Sequence, residues 1–326
     1  DIEKKEKAAI YASKIKEVNE FIPSYSKGDR TRSFLKIQDG CDYFCTFCTI
    51  PLARGKSRND SIAETVKVAK EVAKTDVHEV VLTGVNIGDF GQGEGETFFD
   101  LIKELDKIEG IERFRISSIE PNLLSSDIIK FVSQSERFMP HFHIPLQSGS
   151  NKILELMRRK YKRELYVERV NEIKRLMPYA CIGVDVIVGF PNETEEDFLE
   201  TYQFLNELPV SYLHVFTYSE RQNTTANKMT EVVPKEERSK RSKMLHILSE
   251  KKRRQFYAEH IGKTYSVLFE SENHEGFLHG FTANYIKIKT PYQKELENTI
   301  QEVKLSHVDA EGIVEGILSL SLTSNN

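Results

Sequence analysis

Three cysteines within eight residues constrain this chain more than any other feature of its sequence. Cys41, Cys45 and Cys48 are separated by three and then two residues. The chain has 326 residues but only four cysteines, and the fourth, Cys181, opens an apolar stretch that predicts a buried strand. Three clustered cysteines cannot all pair with one another, which argues against a disulfide framework. We expect Cys181 to be an inert thiol of the core.

The spacing indicates a metal centre and leaves two kinds of centre open. Thiolates are the usual ligands of iron–sulfur clusters, and three of them hold a four-iron cube with one iron free of protein ligands. An iron with a vacant position can bind a small molecule, as a reactive cluster must. Zinc is the alternative, although a structural zinc ion needs a fourth Cys or His nearby. The nearest histidine in the sequence is His78.

The pattern of apolar residues predicts a parallel sheet. Strands are expected at 34–38, 78–84, 114–118, 141–145, 181–188 and 212–218, and helices at 61–75, 97–108, 123–135, 150–157, 162–177, 194–207 and 235–260. Strands that alternate with helices over short connections are typical of parallel α/β folds. Six units are too few for a closed eight-stranded barrel. We therefore expect an open, partial barrel with its site at the carboxyl ends of the strands.

The sequence divides into three parts. Residues 1–30 read as a charged connector helix over 2–20 and a linker, residues 31–260 form the α/β core, and residues 261–326 form a second unit. In this second unit the apolar pattern changes to short strands at 263–270, 277–282, 285–290, 299–306 and 311–320. Five such strands predict a small antiparallel β-barrel of the oligonucleotide-binding sort. A plain structural cap is the alternative.

Charge and composition exclude little but point to the cytoplasm. The net charge is −4, no apolar run approaches the roughly 18 residues of a membrane span, and the start is too charged for a signal peptide. Two basic stretches, 158–163 and 235–254, can meet phosphate or form solvated helix faces. The segment from Gly262 onward is acidic, with nine Asp and Glu against five Lys and Arg. Candidate nucleic-acid contacts in it are Lys287, Lys289, Lys294, Tyr285 and Tyr292.

The pattern Cys-x3-Cys-x-aromatic-Cys, with Phe47 in the aromatic position, resembles the radical S-adenosylmethionine (SAM) superfamily. The longer runs 34–41 and 48–55 are similar to its methylthiotransferase family, and most of all to the branch that modifies threonylcarbamoyladenosine in tRNA. The C-terminal unit resembles the TRAM domain of the same family. The resemblance implies an open six-unit β/α barrel followed by a TRAM-like barrel.

The resemblance also implies an activity. A [4Fe-4S] cluster on Cys41, Cys45 and Cys48 would receive an electron from a donor such as flavodoxin and cleave SAM. The resulting radical would take hydrogen from carbon 2 of a modified adenosine in the tRNA anticodon stem-loop. Family members carry an N-terminal domain with a second [4Fe-4S] cluster that handles the inserted sulfur. This sequence shows no such domain, so we expect a fragment that cleaves SAM without completing methylthiolation.

By the same resemblance, the SAM contacts are expected on the cysteine loop and at strand ends. The candidates are Phe47, Gly84, Asn86, Ser118, Glu120, Gln147, Ser148 and Arg158. Arg158 or Arg159 is expected to pair with the SAM carboxylate, as arginine pairs with carboxylates in bidentate fashion. Each candidate also has a structural interpretation: glycine after a strand is often a turn, and the arginines fit a solvated helix.

Three other functions remain open at this point. Two are methylthiotransferase reactions on isopentenyladenosine in tRNA or on an aspartate of a ribosomal protein. The third is a zinc-stabilised RNA-binding protein without catalysis, which would explain the cysteines and the small barrel. It would not explain six repeats with polar strand ends.

Overall fold

The computed structural model describes residues 15, 18, 20–26, 31–93 and 95–318. The connector helix predicted over 2–20 lies almost entirely outside the described residues. So does the end of the strand predicted over 311–320. The division of the chain at residue 30 therefore stays a prediction.

Six parallel strands alternate with helices in the order that the sequence predicts. A two-residue strand, β1 (Ser24–Tyr25), pairs antiparallel with the first of them. The six are β2 (Arg32–Lys36), β3 (Glu79–Thr83), β4 (Arg113–Ile116), β5 (His141–Gln147), β6 (Cys181–Val188) and β7 (Tyr212–Thr217). The helices are α1 (Ile50–Arg54), α2 (Ile62–Val72), α3 (Phe98–Leu105), α4 (Ser126–Gln134), α5 (Asn151–Leu156), α6 (Arg163–Leu176), α7 (Glu195–Glu207) and α8 (Lys235–Ala258).

Short polar side chains begin several of these helices. Ser61, Thr97, Ser125 and Thr194 each accept a hydrogen bond from the backbone N–H three residues later. Such a bond satisfies one of the N–H groups that a helix start leaves without a partner. At α7 the Asp197 carboxylate also accepts from the Thr194 N–H, which completes a capping box.

The parallel strands form two sheets rather than one continuous ladder. Strands β2, β3 and β4 pair in parallel, and so do β5, β6 and β7. Between the two sheets, an isolated bridge joins Phe114 to Phe138, just before β5 begins, and the Ile119 N–H donates to the His143 carbonyl. The side chains that face the helices form one large core, which includes Leu82, Val184 and Leu213. The strands thus curve into the open barrel that the sequence predicts.

The C-terminal unit is a closed five-stranded barrel. Its strands are β8 (Thr264–His274), β9 (Phe277–Thr282), β10 (Lys287–Pro291), β11 (Ile300–Val308) and β12 (Val314–Leu318), in the ring order β10–β12–β11–β8–β9. The prediction of a wholly antiparallel barrel is wrong in one pairing, because β10 and β12 run parallel. The reason is geometric: directions cannot alternate around a closed ring with an odd number of strands.

The C-terminal barrel closes the amino end of the open barrel. The Arg113 guanidinium donates to the carbonyls of Phe281 and Ser266 at 3.1 and 2.9 Å, and Arg115 donates to another carbonyl of the same barrel. The Tyr285 ring stacks on His141 of β5, with ring centroids 4.4 Å apart. Tyr285 therefore contacts the core, and its predicted place on a nucleic-acid surface is wrong.

Several cations of the basic stretch 235–254 and of the C-terminal barrel form ion pairs within the protein. On α8, Arg238 and Arg241 are buried and pair with Glu220 and Glu193. Lys289 of the C-terminal barrel pairs with Asp309. A run of Lys and Arg in the sequence therefore overstates the positive surface that the fold presents. Within the described residues, no helix is long and apolar enough to cross a membrane.

Candidate functional site

The cysteine loop leaves the carboxyl end of β2, contains α1 and then turns back towards its own start. Asp39 and Arg58 form an antiparallel bridge that closes the base of the loop, and the Cys41 N–H donates to the Gly55 carbonyl at 3.1 Å. Gly40 has φ +68°, and a Cβ at this position would lie 1.8 Å from the Lys56 carbonyl oxygen. Only glycine fits this combination of a left-handed backbone and a close approach.

A single buried amide, Gln38, joins the cysteine loop to the loop that follows β3. Its Oε1 accepts from the N–H groups of Val85 and Asn86 at 2.9 and 2.8 Å. Its Nε2 donates to the Gly40 carbonyl at 2.8 Å and also to the Asp39 carbonyl and the Ser57 hydroxyl. The side chain is fully buried, so each of these bonds is made out of contact with water.

Each of the three sulfurs accepts a hydrogen bond from an N–H group. The backbone N–H of Tyr43 points at Cys41 Sγ over 3.3 Å, and that of Ile50 points at Cys48 Sγ over 3.4 Å. The third donor is the Arg159 guanidinium, whose Nη1 lies 3.1 Å from Cys45 Sγ. Donors of this kind stabilise a thiolate and tune a cluster that it holds.

The charges around the sulfurs favour a cationic occupant. Burial raises the pKa of the Cys41 thiol to about 12, and burial also raises the pKa of Cys45, against the effect of Arg159. Both groups are therefore thiols at neutral pH until a metal compensates the negative charge of the thiolates. The other side of Arg159 pairs with Glu120, whose pKa is raised chiefly by burial.

The donor set of the cysteine loop fits an iron–sulfur cube better than a structural zinc ion. A structural zinc ion takes four Cys or His ligands. The loop presents three thiols, each with an N–H donor. Three thiolates can hold a four-iron cube with one iron free of protein ligands.

Several of the residues predicted to bind SAM surround this loop. Gly84 and Asn86 follow β3 and are held against the cysteine loop by Gln38. Glu120 follows β4 and reaches the loop through Arg159. Phe47 packs edge-on against Phe190, with ring centroids 6.5 Å apart.

The other predicted contacts lie at different depths. Ser118 is half-buried after β4, and Gln147, with φ 69°, is half-buried at the end of β5. Ser148 is fully buried, and its hydroxyl lies 3.2 Å from the Thr201 hydroxyl, so the structure places it in the support of the strand end. Arg158 is exposed on the surface. Of the two neighbouring arginines, the buried Arg159 is the one beside the cysteines.

Two groups of residues were missed by sequence reasoning. Asp89 is buried and accepts from the Asn86 amide at 2.6 Å, and burial raises its pKa to about 6. His143, Asp185 and His214 lie together on β5, β6 and β7. The sequence signal for this second group was one polar residue at an inward position in each of three otherwise apolar strands. Cys181 is 2% exposed, which confirms that it is a thiol of the core.

Comparison with known proteins agrees with this geometry. The family model of the radical SAM superfamily matches residues 35–205. Among solved structures, the radical SAM methyltransferase TsrM from Kitasatospora setae superposes with a TM-score of 0.51 at 14% identity, over 60% of this chain and 38% of that one. At this identity the likeness concerns the fold.

Curated relatives are more similar in sequence than this solved structure. The threonylcarbamoyladenosine tRNA methylthiotransferase MtaB of Aquifex aeolicus is 43% identical over 92% of this chain and 72% of its own length. The Bacillus subtilis protein of the same name is 38% identical, over 87% of this chain and 64% of its own length. A tRNA-2-methylthio-N(6)-dimethylallyladenosine synthase of Desulfitobacterium hafniense is 33% identical over 95% of this chain and 70% of its own length. The chain therefore belongs to the radical SAM superfamily and, within it, to the tRNA methylthiotransferase family.

Proposed function

We propose that this chain carries the SAM-cleaving site of a methylthiotransferase that acts on N6-threonylcarbamoyladenosine beside the anticodon of tRNA. The observation that carries the proposal is the cysteine loop, whose three sulfurs each accept an N–H hydrogen bond. The two MtaB relatives support the choice of substrate, since their identities exceed that of the dimethylallyladenosine enzyme.

Cys41, Cys45 and Cys48 would hold the [4Fe-4S] cluster. When bound, this group supplies the electron that splits SAM into methionine and a 5′-deoxyadenosyl radical. The chain's own residues hold and shield that chemistry. Gln38 fixes the loop against the end of β3, and Arg159 stabilises the Cys45 thiolate while its charge is balanced by Glu120.

The groups proposed to contact SAM lie on the cysteine loop or at the ends of strands. The residues are Phe47, Gly84, Asn86, Ser118, Glu120 and Gln147. All but Phe47 follow or end a strand, at the carboxyl edge of the parallel sheets, where open α/β folds bind their ligands. Gly84 lets a ligand approach the backbone closely, since it has no side chain.

The proposal also names partners. tRNA is the macromolecular substrate, recognised at the anticodon stem-loop, and a low-potential one-electron donor such as flavodoxin reduces the cluster. Both partners belong to the cytoplasm, where we propose that the protein works.

Hydrogen transfer tests the substrate without requiring complete methylthiolation. Anticodon stem-loops would carry deuterium at carbon 2 of threonylcarbamoyladenosine, of dimethylallyladenosine or of unmodified adenosine. The reconstituted protein is incubated with SAM and dithionite, and 5′-deoxyadenosine is analysed by mass spectrometry. We expect deuterium in 5′-deoxyadenosine with the threonylcarbamoyl stem-loop. Transfer from the dimethylallyl stem-loop alone, or none with any RNA while a ribosomal-protein loop stimulates cleavage, would contradict the proposed substrate.

A further inference from the structure

Three polar side chains meet in the interior of the open barrel. His143 on β5 places its Nε2 2.8 Å from Asp185 Oδ1, and His214 on β7 places its Nδ1 3.4 Å from the same oxygen. The two imidazole rings lie 4.9 Å apart. We call these three residues the lumen triad. No residue of the triad belongs to the cysteine loop or to the contacts with SAM that we propose.

Strand alternation shows that the triad faces the lumen. On β7, Leu213 and Val215 pack into the large core beside the helices, so His214 between them points to the opposite side. On β6, Cys181 joins the core of the C-terminal barrel, while Ile187 packs in a small cluster with Phe47. Asp185 lies between these two positions on the same face. The triad is thus placed between the C-terminal barrel and the cysteine loop.

The accessible part of the lumen ends at the triad. Below it, His141 is 5% exposed and its Nε2 lies 3.0 Å from the Tyr212 hydroxyl, and Tyr285 of the C-terminal barrel stacks on it. At the triad itself, the His214 side chain is 53% exposed. Phe216, the next inward position on β7, is 51% exposed. A half-exposed imidazole and a half-exposed phenyl ring therefore occupy successive inward positions of β7.

The triad is also electrostatically linked to the cysteine loop. The Asp185 charge contributes to raising the pKa of Glu120, after the larger effect of burial. Glu120 pairs with Arg159, which donates to the Cys45 sulfur. The charge of the triad is therefore coupled, through Glu120 and Arg159, to the sulfur of Cys45.

The hydrogen bonds of the triad determine what it offers to a ligand. An ionised carboxylate only accepts, so His143 Nε2 and His214 Nδ1 must carry the hydrogens that they share with Asp185. The bonds from both histidines hold the pKa of Asp185 down to about 2, against the effect of burial. The free ring nitrogen of His214 is then Nε2, on a half-exposed side chain. Asp185 fixes the ring, and His214 presents the polar atom.

We propose that the lumen triad and Phe216 receive the target adenine, with Phe216 stacked on the base and His214 bonded to the polar substituent on N6. This inference rests on the proposed function and adds a basis for selectivity between differently modified adenines. Enzymes that modify a base take it out of the stack, read it by hydrogen bonds and stack it on aromatic side chains. Phe216 and His214 supply these two contacts. Asp185 and His143 are positioning residues.

The same contacts discriminate between the two modified bases in the names of the relatives. A threonylcarbamoyl group carries N–H and hydroxyl donors that can bond the free Nε2 of the His214 imidazole. A dimethylallyl group is a hydrocarbon and would leave the ring nitrogen of His214 buried without a partner. Sites built to hydrogen-bond a substrate reject analogues that lack the bonding group, because their own polar atoms are then left unpaired.

The test is a binding comparison that does not depend on turnover. The anaerobically reconstituted protein with SAM, without reductant, is titrated into fluorescent anticodon stem-loops that carry threonylcarbamoyladenosine or dimethylallyladenosine. We expect the wild type to prefer the threonylcarbamoyl stem-loop about tenfold. In His214→Phe the preference should fall to within about twofold. Phe216→Ala should weaken the binding of both stem-loops by a similar factor, about tenfold, because stacking on the base does not depend on the substituent at N6.

A matched control uses a histidine outside the lumen triad. His78 lies just before β3, in the other sheet, and pairs with Glu112, so His78→Phe should keep the wild-type preference. Retention of the full preference by His214→Phe, at wild-type iron content and melting temperature, would overturn the inference alone. Absence of any preference in the wild type would instead count against the proposed function. A divalent ion that is bound apart from the cluster and lost in His214→Phe would also overturn the inference, by making the triad a metal site.

Discussion

Arg159 joins Cys45 to Glu120. Its Nη1 donates to the Cys45 sulfur at 3.1 Å, and its Nη2 pairs with the Glu120 carboxylate. The guanidinium is almost completely buried, and the phenol of Tyr161 lies 3.2 Å from its Nε. One side chain therefore contacts a proposed cluster ligand, a carboxylate and Tyr161, whose hydroxyl donates to carbonyls at the end of β5.

Removal of this arginine should loosen the cluster. Arg159→Leu deletes the donor to Cys45 and leaves the Glu120 carboxylate without its cation. We expect iron release to a chelator to rise roughly tenfold or more, in line with the effects of removing partners of metal ligands. The reduction potential should also become more negative, because hydrogen bonds to sulfur stabilise the reduced cluster. Chelator kinetics and a redox titration by electron paramagnetic resonance measure both effects.

The control is Arg158→Leu, which changes the exposed neighbour of Arg159. This variant should release iron at the wild-type rate. Equal rates in the wild type and both variants would refute the role of Arg159.

Replacement of the buried amide of Gln38 by a carboxyl group should destabilise the protein. Gln38→Glu keeps the shape and the acceptor oxygen but replaces the Nε2 donor, so an oxygen would face the carbonyls of Asp39 and Gly40. We expect a loss of about 2–4 kcal/mol in the free energy of unfolding, typical of an unsatisfied buried polar network. Chemical denaturation of the metal-free protein measures it. A loss below about 0.5 kcal/mol would show that the two loops do not depend on this amide.

Gly40 should tolerate no side chain. In Gly40→Ala the new Cβ would meet the Lys56 carbonyl oxygen, which is backbone and cannot swing away. The left-handed φ adds strain of about 1 kcal/mol or more. We expect the variant to fold but to retain less than about one tenth of the wild-type iron. Gly276→Ala provides the comparison, because it also has positive φ but no atom within 4 Å of the added Cβ. Iron analysis after identical reconstitution distinguishes them, and normal iron in Gly40→Ala would contradict the loop geometry.

A buried histidine at the junction with the C-terminal barrel should make stability depend on pH. His260 is 2% exposed and stacks on Tyr265, and burial lowers its pKa from 6.5 to about 4. The unfolded chain therefore binds the proton more readily than the folded one. The contribution of His260 is complete above about pH 6.5 and is lost as the pH falls towards 4.

Replacement of this histidine should flatten the pH dependence without abolishing it. We expect the loss of unfolding free energy between about pH 7.5 and about pH 5 to be smaller by about 2 kcal/mol in His260→Phe than in the wild type. Urea denaturation of the metal-free protein, followed by circular dichroism, gives both values. His246→Phe, on the exposed side of α8, should behave as the wild type. An identical slope in His260→Phe would show that this group does not titrate on unfolding.

The order of elements could be predicted because the local signals agree. Apolar strands such as 181–188 alternate with helices that begin at capping residues, and the observed strand β6 has the predicted bounds. The cysteine loop was predictable for a different reason. Its three cysteines lie within eight residues, so their proximity can be inferred without knowledge of the tertiary fold.

The lumen was not predictable, because its residues meet only in the folded chain. His143, Asp185 and His214 come from three strands and are far apart in sequence. The same limit explains why the sequence overstates the positive charge of the basic stretches. The sequence shows the charge of Arg238 and Arg241 but not the carboxylates that neutralise them, since these belong to other elements. Tyr285 likewise faces the core because the C-terminal barrel docks on β4 and β5, a contact without a local signal.

The central claim, that the cysteine loop holds a cluster that cleaves SAM, is tested most directly by anaerobic reconstitution with iron and sulfide. Metal content and 5′-deoxyadenosine formation with SAM and dithionite would be measured for the wild type, Cys45→Ala and Cys181→Ala. The account predicts about four irons per chain and 5′-deoxyadenosine in the wild type and in Cys181→Ala, and a loss of both in Cys45→Ala. Bound zinc without 5′-deoxyadenosine, or a Cys45→Ala variant that keeps its iron and cleaves SAM, would contradict it.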